Sequence, residues 1–185
     1  MNFKNYTEFL NEALDPSKFL TQEQIDWCDK HIDGKWGVNE KGEVTVRKKN
    51  VGFKDRSFDR FPVQFAPVKG TFDCSRCPNL VSLKGAPAHV GESFWCRGCP
   101  KLTSLEGAPS HVGGDFNCEN CPKLASLEGA PAHVGGYFYC GNCPELPVTF
   151  VEIIKDYNEE EIDWKTAHKL IHSETARTAH AIGLI

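Results

Sequence analysis

Residues 116–136 read Phe-Asn-Cys-Glu-Asn-Cys-Pro-Lys-Leu-Ala-Ser-Leu-Glu-Gly-Ala-Pro-Ala-His-Val-Gly-Gly, and nearly the same text recurs on either side. Cysteine pairs stand at Cys74/Cys77, Cys96/Cys99, Cys118/Cys121 and Cys140/Cys143, each 22 positions after the one before. Phe72, Phe94, Phe116 and Phe138 precede each first cysteine by two residues, and Pro78, Pro100, Pro122 and Pro144 follow each second one. Leu80, Leu102, Leu124 and Leu146 come next, then Leu83, Leu105 and Leu127, and Gly-Ala-Pro-x-His-Val-Gly closes each of the first three units. A fixed period of this length marks a solenoid, because a unit so small cannot bury its own apolar face and must stack on its neighbours.

Within a unit, apolar and polar residues alternate around Phe116-Asn117-Cys118, which predicts a short strand with one buried face. Cys121, Leu124, Leu127 and Val134 then step at wider, irregular intervals, and Pro122 and Pro131 forbid a long helix. Gly113 and Gly114, like Gly135 and Gly136, supply the tight return. Each unit is therefore expected to be one strand, one turn and one irregular arc, with parallel strands about 4.8 Å apart.

The run Phe116-x-Cys118-x-x-Cys121-x-x-Leu124-x-x-Leu127 resembles the leucine-rich repeat, with Phe116 and Cys118 at strand-core positions and Cys121 at that family's inward Asn/Cys position. The pattern departs at Gly113, where the family has a leucine three residues before the strand phenylalanine. Leu105-Glu-Gly-Ala-Pro109 with its Val-Gly-Gly return also resembles repeat proteins of tailed, T4-like bacteriophages. In those proteins a phrase like Trp36-Gly-Val-Asn-Glu-Lys-Gly-Glu-Val44, followed by Phe61-Pro-Val-x-Phe65, similarly precedes the array. The resemblance covers roughly residues 35–150 and implies fold and origin, but no one shared activity. The expected fold is an α/β solenoid: a leucine-rich-repeat-like array with a parallel β-sheet and N- and C-terminal helical caps.

The 185 residues carry a net charge of -4 and 40% apolar residues, which describes a globular chain with no global basic excess to announce nucleic acid. No apolar run approaches a membrane span, and Met1-Asn-Phe-Lys-Asn-Tyr6 lacks the apolar core of a secretory signal. A reducing cytoplasm is the expected location, that of an infected bacterium if the phage resemblance holds, and the nine cysteines are expected as thiols or metal ligands rather than disulfides.

Four segments follow: 1–34 as an N-terminal helical cap, 35–67 as a degenerate first repeat or hairpin, 68–147 as four repeats, and 148–185 as a C-terminal helical cap. Tyr6 to Leu14 has helical spacing, and Thr21-Gln-Glu-Gln24 has the form of a capping box opening a helix that ends near Gly34. Val44 and Val46 are expected in the places of Phe72 and Cys74. Lys41, Arg47, Lys48, Lys49, Lys54, Arg56 and Arg60 form a local basic patch, read first as a solvated surface. After Pro147, Phe150, Ile153, Ile154, Ile162, Trp164, Ala167, Leu170, Ile171, Ala179, Ile182 and Leu184 keep helical spacing. Acidic residues gather there (Glu145, Glu152, Asp156, Glu159, Glu160, Glu161, Asp163), with Lys155 opposing them.

Cys74, Cys77, Cys96 and Cys99, and likewise Cys118, Cys121, Cys140 and Cys143, have zinc-ribbon spacing. All the eighteen-residue intervals carry the same text, however, and a stacking rule explains that uniformity where pairwise ligation does not. The cysteines are therefore read as buried ladders with no cofactor, and zinc as the alternative. His89, His111 and His133 form a second ladder in the return arc, expected to hydrogen-bond the backbone, with a metal or pH-sensing role as the alternative. No nucleophile-base arrangement or phosphate-cradling loop is present, and His168, His172 and His180 are the only enzyme-like features, better explained by a helix face.

Against this fixed framework the outward strand positions vary at every rung. Asp73, Trp95, Asn117 and Tyr139 lie between phenylalanine and cysteine; Thr71, Ser93, Asp115 and Tyr137 precede; Ser75-Arg76, Arg97-Gly98, Glu119-Asn120 and Gly141-Asn142 follow. Asp73, Arg76, Trp95, Arg97, Asp115, Asn117, Glu119, Tyr137 and Tyr139 are the candidate partner-binding residues, on a face of the kind solenoids use for partners. The expected function is non-catalytic: a phage accessory or inhibitor factor that occludes a host protein such as a defence enzyme, toxin or nuclease. A zinc-dependent nucleic-acid module using the Cys pairs and Arg47, Lys48 and Lys49 is the alternative. Aromatic packing against a terminal cap would be the non-functional reading of Trp95 and Tyr139.

Overall fold

A computed structural model describes residues 14–53 and 55–181, with side chains described as far as residue 173. The expected helix at Tyr6 to Leu14, apart from Leu14 itself, lies outside these residues, as do Lys54, Ile182 and Leu184.

The repeats coil into a solenoid of parallel rungs. Strands β3 (Val51–Gly52), β4 (Phe72–Asp73), β6 (Phe94–Trp95), β8 (Phe116–Asn117) and β10 (Phe138–Tyr139) form one parallel sheet, in register Val51↔Phe72↔Phe94↔Phe116↔Phe138. The return arc, expected to be irregular, makes a second parallel sheet from β5 (His89–Val90), β7 (His111–Val112) and β9 (His133–Val134). Val68 extends that sheet by a parallel bridge to Val90. The turns that begin at β4, β6 and β8 thus each carry two strands, both only two residues long.

Inward positions are uniform. Phe72, Phe94 and Phe116 each stack on the next phenylalanine, with ring centroids 5.5, 5.4 and 4.8 Å apart along the row to Phe138. These spacings follow the separation of parallel strands, about 4.8 Å. Leu80, Leu83, Leu102, Leu105, Leu124 and Leu127 are fully buried beside them. Gly113 explains the departure from the leucine-rich pattern: a Cβ built there would sit 2.3 Å from the Gly91 carbonyl oxygen, so no leucine fits, and Val112 supplies the buried side chain instead. Gly107 is fixed twice, by φ of +88° and by a Cβ that would lie 2.3 Å from the Lys84 nitrogen.

Before the array, β1 (Trp36–Val38) and β2 (Val44–Val46) form an antiparallel hairpin whose turn is held by the Asn39 side chain accepting from the Lys41 and Glu43 amides. Val51, not Val44, takes the place of Phe72, because the degenerate rung is one residue shorter than the regular ones: Val44 bridges Phe65 and Val51 pairs with Phe72, each 21 positions on. Helix α1 (Gln22–His31) opens on the expected Thr21/Gln24 capping box. Its Trp27 packs edge-on to Phe58 and Phe61, which continue through Phe53 and Phe65 to Phe72.

At the far end stand α2 (Val148–Asn158) and α3 (Trp164–Ala181). Trp164 stacks on Phe138 at 5.3 Å and 17°, prolonging the phenylalanine row by one ring. Asn158 does for the backbone what Trp164 does for the core. Its side-chain amide accepts from the Phe138 N–H at 3.0 Å and donates to the Phe138 C=O at 2.8 Å, as a further strand would. The Tyr157 hydroxyl donates toward the Val134 and Gly136 carbonyls, and the Trp164 indole N–H to Pro131 O. An open sheet edge needs such partners.

Candidate partner-binding face

The outward row of the larger sheet, Asp73, Trp95, Asn117 and Tyr139, divides into two kinds. Asp73 accepts from the Ser75 amide at 2.8 Å, and Asn117 accepts from the Glu119 amide at 3.1 Å. Both cap the bend that follows the strand, a role their short polar side chains favour. Asp73 is further held by Arg56, whose guanidinium donates to its carboxylate at 3.1 Å and to the Asp73 and Ser75 carbonyls. Two candidate binding residues are thus engaged within the chain. Trp95 and Tyr139 make no such bond, and Trp95 is 37% exposed.

The preceding row behaves similarly. Ser93 Oγ accepts from the Asp115 amide and Asp115 Oδ1 from the Tyr137 amide, so each side chain secures the next rung. Tyr137 ends that series and is 49% exposed, its ring 5.9 Å from that of Tyr139. After the strand, Ser75 is buried rather than outward, and Arg76, Gly98, Asn120 and Asn142 share a left-handed backbone (φ +56°, +68°, +56° and +56°). Gly and Asn suit that conformation; the bend, as much as any partner, sets the residue type here. Arg76 is the one departure, a long side chain in a strained conformation.

What remains for a partner is Trp95 with the Arg97 guanidinium 6.0 Å from its ring centroid, then Tyr137 and Tyr139; Asp115 and Glu119 add charge beside them, each with one carboxylate oxygen already accepting, from the Tyr137 amide and from the Asn117 side-chain amide. Trp95 and Tyr139 stand two rungs, about 10 Å, apart on this rigid surface. Burial, then the neighbouring Asp115, Tyr137 and Glu119, raise the Tyr139 hydroxyl above the usual phenol range, which keeps it a neutral donor. Beside Tyr139 a cleft of about 320 Å³ opens against α2, lined by Glu119, Gly141, Val151, Lys155 and Glu159. Sequence reading missed Val151 and the Lys155–Glu159 pair as part of this surface. The opposition of Lys155 to the acidic cluster was the available signal.

The thiols face the other way. All nine are buried. Cys99, Cys121 and Cys143 each direct Sγ at the carbonyl of the first cysteine one rung earlier, at 3.4 Å in every case. Burial holds Cys74, Cys96 and Cys118 well above the usual thiol range and pushes Cys28, Cys121 and Cys140 up to about 12. With no ion beside them, burial keeps these thiols protonated. Among the described residues no group of three or more His, Cys, Asp or Glu side chains is arranged to hold a metal ion.

His89, His111 and His133 do form a ladder, stacked at 4.3 Å with interplanar angles of 6° and 14°. Their rings meet one another, and among the described residues none of the three is hydrogen-bonded to the backbone through its side chain. Burial and the flanking His133 and His89 lower the His111 imidazole below its ordinary range. His168 and His172 meet on α3 with their Nε2 atoms 3.0 Å apart, and the His180 side chain lies outside the described ones. In the basic patch Lys48, Lys49, Arg56 and Arg60 are paired with Asp33, Glu92, Asp73 and Asp59, while Arg47 has no carboxylate partner among the described residues. Among the described residues no helix is long and apolar enough to cross a membrane.

No family model, curated protein or solved structure matches the chain.

Proposed function

We propose that this is a non-catalytic binding protein that presents Trp95, Arg97, Tyr137 and Tyr139 to another protein and acts by occluding that protein's surface. The observation that carries the reading is the set of outward aromatics, exposed Trp95 and Tyr137 and half-buried Tyr139, left over once the bend-capping and rung-securing side chains are set aside. These types are enriched at interface hot spots, and a rigid sheet spares the cost of ordering them. Arg97, Asp115 and Glu119 set register by charge.

The repeat is leucine-rich-like in its Phe, Cys and Leu positions, with a second sheet in place of the usual return. The helices at the two ends act as caps, a reading supported by the strand-like amide of Asn158. Following the resemblance to phage repeat proteins, the partner is a host protein in an infected bacterial cytoplasm, and the protein is an accessory or anti-defence factor.

The test is affinity capture from infected cells with the intact protein and with a Trp95→Ala/Tyr139→Ala variant, read by mass spectrometry. The double variant should melt as the parent does and lose the captured protein. Retention of the same protein by the variant would remove the proposal.

A further inference from the structure

A second opening lies on the other side of the molecule, where the smaller sheet should have begun. In the regular rungs the return segment is zipped to its neighbours, His89–Val90 to His111–Val112 and Val68 to Val90. On the N-terminal side of Pro67–Lys69 the equivalent segment is Thr45–Lys49, and it has been drawn away because Val46 pairs with Trp36 in the hairpin. The two chains touch at each end, through Ala66 N–H to Val44 O and Gly70 N–H to Lys49 O. Between those bonds is a cleft of about 350 Å³ lined by Val44, Val46, Val51, Phe65, Val68 and the basic residues Arg47 and Lys69.

Between those two bonds the backbone of this edge is unpaired among the described residues. Val68 spends both its N–H and C=O on the next rung, donating to His89 O and accepting from Gly91 N–H. The alternation of a parallel strand then turns the Pro67 C=O and the Lys69 N–H to the opposite side, where the cleft lies. Neither has a hydrogen-bond partner among the described residues. A carbonyl and an N–H two residues apart are what one residue of an added parallel strand would satisfy. At the far end of the array such needs are met from within the chain, by Asn158 at the larger sheet and by the Tyr157 hydroxyl at the Val134 and Gly136 carbonyls beside the smaller one. Lys48 and Lys49 are paired with Asp33 and Glu92, but Arg47 and Lys69 have no carboxylate partner among the described residues.

We infer that this cleft takes an acidic peptide, one extended residue of which pairs strand-like with the edge of the smaller sheet between the Ala66 and Gly70 bonds. Its backbone N–H donates to Pro67 O and its C=O accepts from Lys69 N–H. Its carboxylates meet Arg47 and Lys69, and a small apolar side chain rests on Val46 and Val68. Strand addition draws affinity from such main-chain bonds and specificity from alternate side chains. The site is separate from the Trp95 face and does not depend on it.

The probe is the peptide acetyl-Glu-Val-Glu-Val-Glu-amide, titrated into the full chain and followed by NMR at the Lys69 amide and the Val44, Val46, Val51 and Val68 methyls. Saturable shifts are expected at both, with the Lys69 amide moving downfield. Arg47→Glu/Lys69→Glu should weaken binding about tenfold or more, as should raising salt from about 0.1 M to about 0.5 M. N-methylation of the peptide at alternate residues should abolish binding in one register, a test that leaves the protein's fold untouched. Four outcomes would overturn the inference: no saturable shift; equal binding of the Lys-Val-Lys-Val-Lys peptide; equal binding of free glutamate, which would make the site one for a small anion; or contacts in the peptide-free protein between residues 1–13 and the cleft.

Discussion

Neighbouring residues on one strand obey different rules. Phe116 points inward and differs from its counterparts at Phe72, Phe94 and Phe138 in nothing but position; Asn117 points outward and shares its row with Asp73, Trp95 and Tyr139. The inner face is set by the stack, where each ring or thiol meets a copy of itself one rung away. The outer face is set by two demands in alternation, since Asp73 and Asn117 finish the bend while Trp95 and Tyr139 do not. Variation along a solenoid face is therefore not the same thing as a binding site, and the site appears only after the structural share of that variation is removed.

Several experiments press on this contrast, beginning with those that strike the inner face. Cys28, Cys121 and Cys140 are pushed up to about 12 from a reference of 9.0, and Cys74, Cys96 and Cys118 lie well above it. A raised thiol keeps its proton in the fold and loses it in the unfolded chain. Its stabilising share is therefore complete below pH 9 and declines as pH rises toward 12. Each such thiol contributes about 1.4 kcal/mol per pH unit across that window. Denaturant titrations at rising pH should show a steep loss of stability above pH 9; a flat profile would mean the thiols are not held protonated.

Leu105→Ala, at a fully buried position, should cost about 2–5 kcal/mol in chemical denaturation. Asn158→Ala should cost about 1–3 kcal/mol, because the Phe138 N–H and C=O lose their partner, and hydrogen exchange at the Phe138 amide should quicken. Arg76→Asn should raise stability by about 0.5 kcal/mol by relieving a left-handed arginine, seen as a small upward shift in Tm. Trp95→Ala/Tyr139→Ala should move stability least, by under about 0.5 kcal/mol per site. A large loss there would show that the outer aromatics belong to the fold.

The array was legible because the same Phe, Cys, Leu and Gly recur at one period, and stacking is the simplest physics that rewards such repetition. The second sheet was not: His-Val is a two-residue strand, too short for any alternation to show. The register of the first rung misled for a related reason, since Val44-Thr-Val46 alternates better than Val51-Gly52, yet the shorter spacing brings Val51 to Phe72. Among the candidate site residues, Asp73 and Asn117 carried a readable hint in their type, for Asp and Asn two residues before a bend are turn-cappers. Arg56 reaches Asp73 from 17 positions away, and nothing local announces it. Asn158 and Trp164 sit in helical spacing and give no sign that one completes a strand edge and the other a ring stack.

The account rests on thiols that serve as protonated packing between rungs. The direct measurement is intact-mass analysis after brief N-ethylmaleimide treatment, done on native protein, on native protein with a chelator, and in denaturant. Buried packing predicts no adducts in the first two conditions and nine in the third. Rapid labelling of the native protein, or labelling that begins only when the chelator is added, would contradict it.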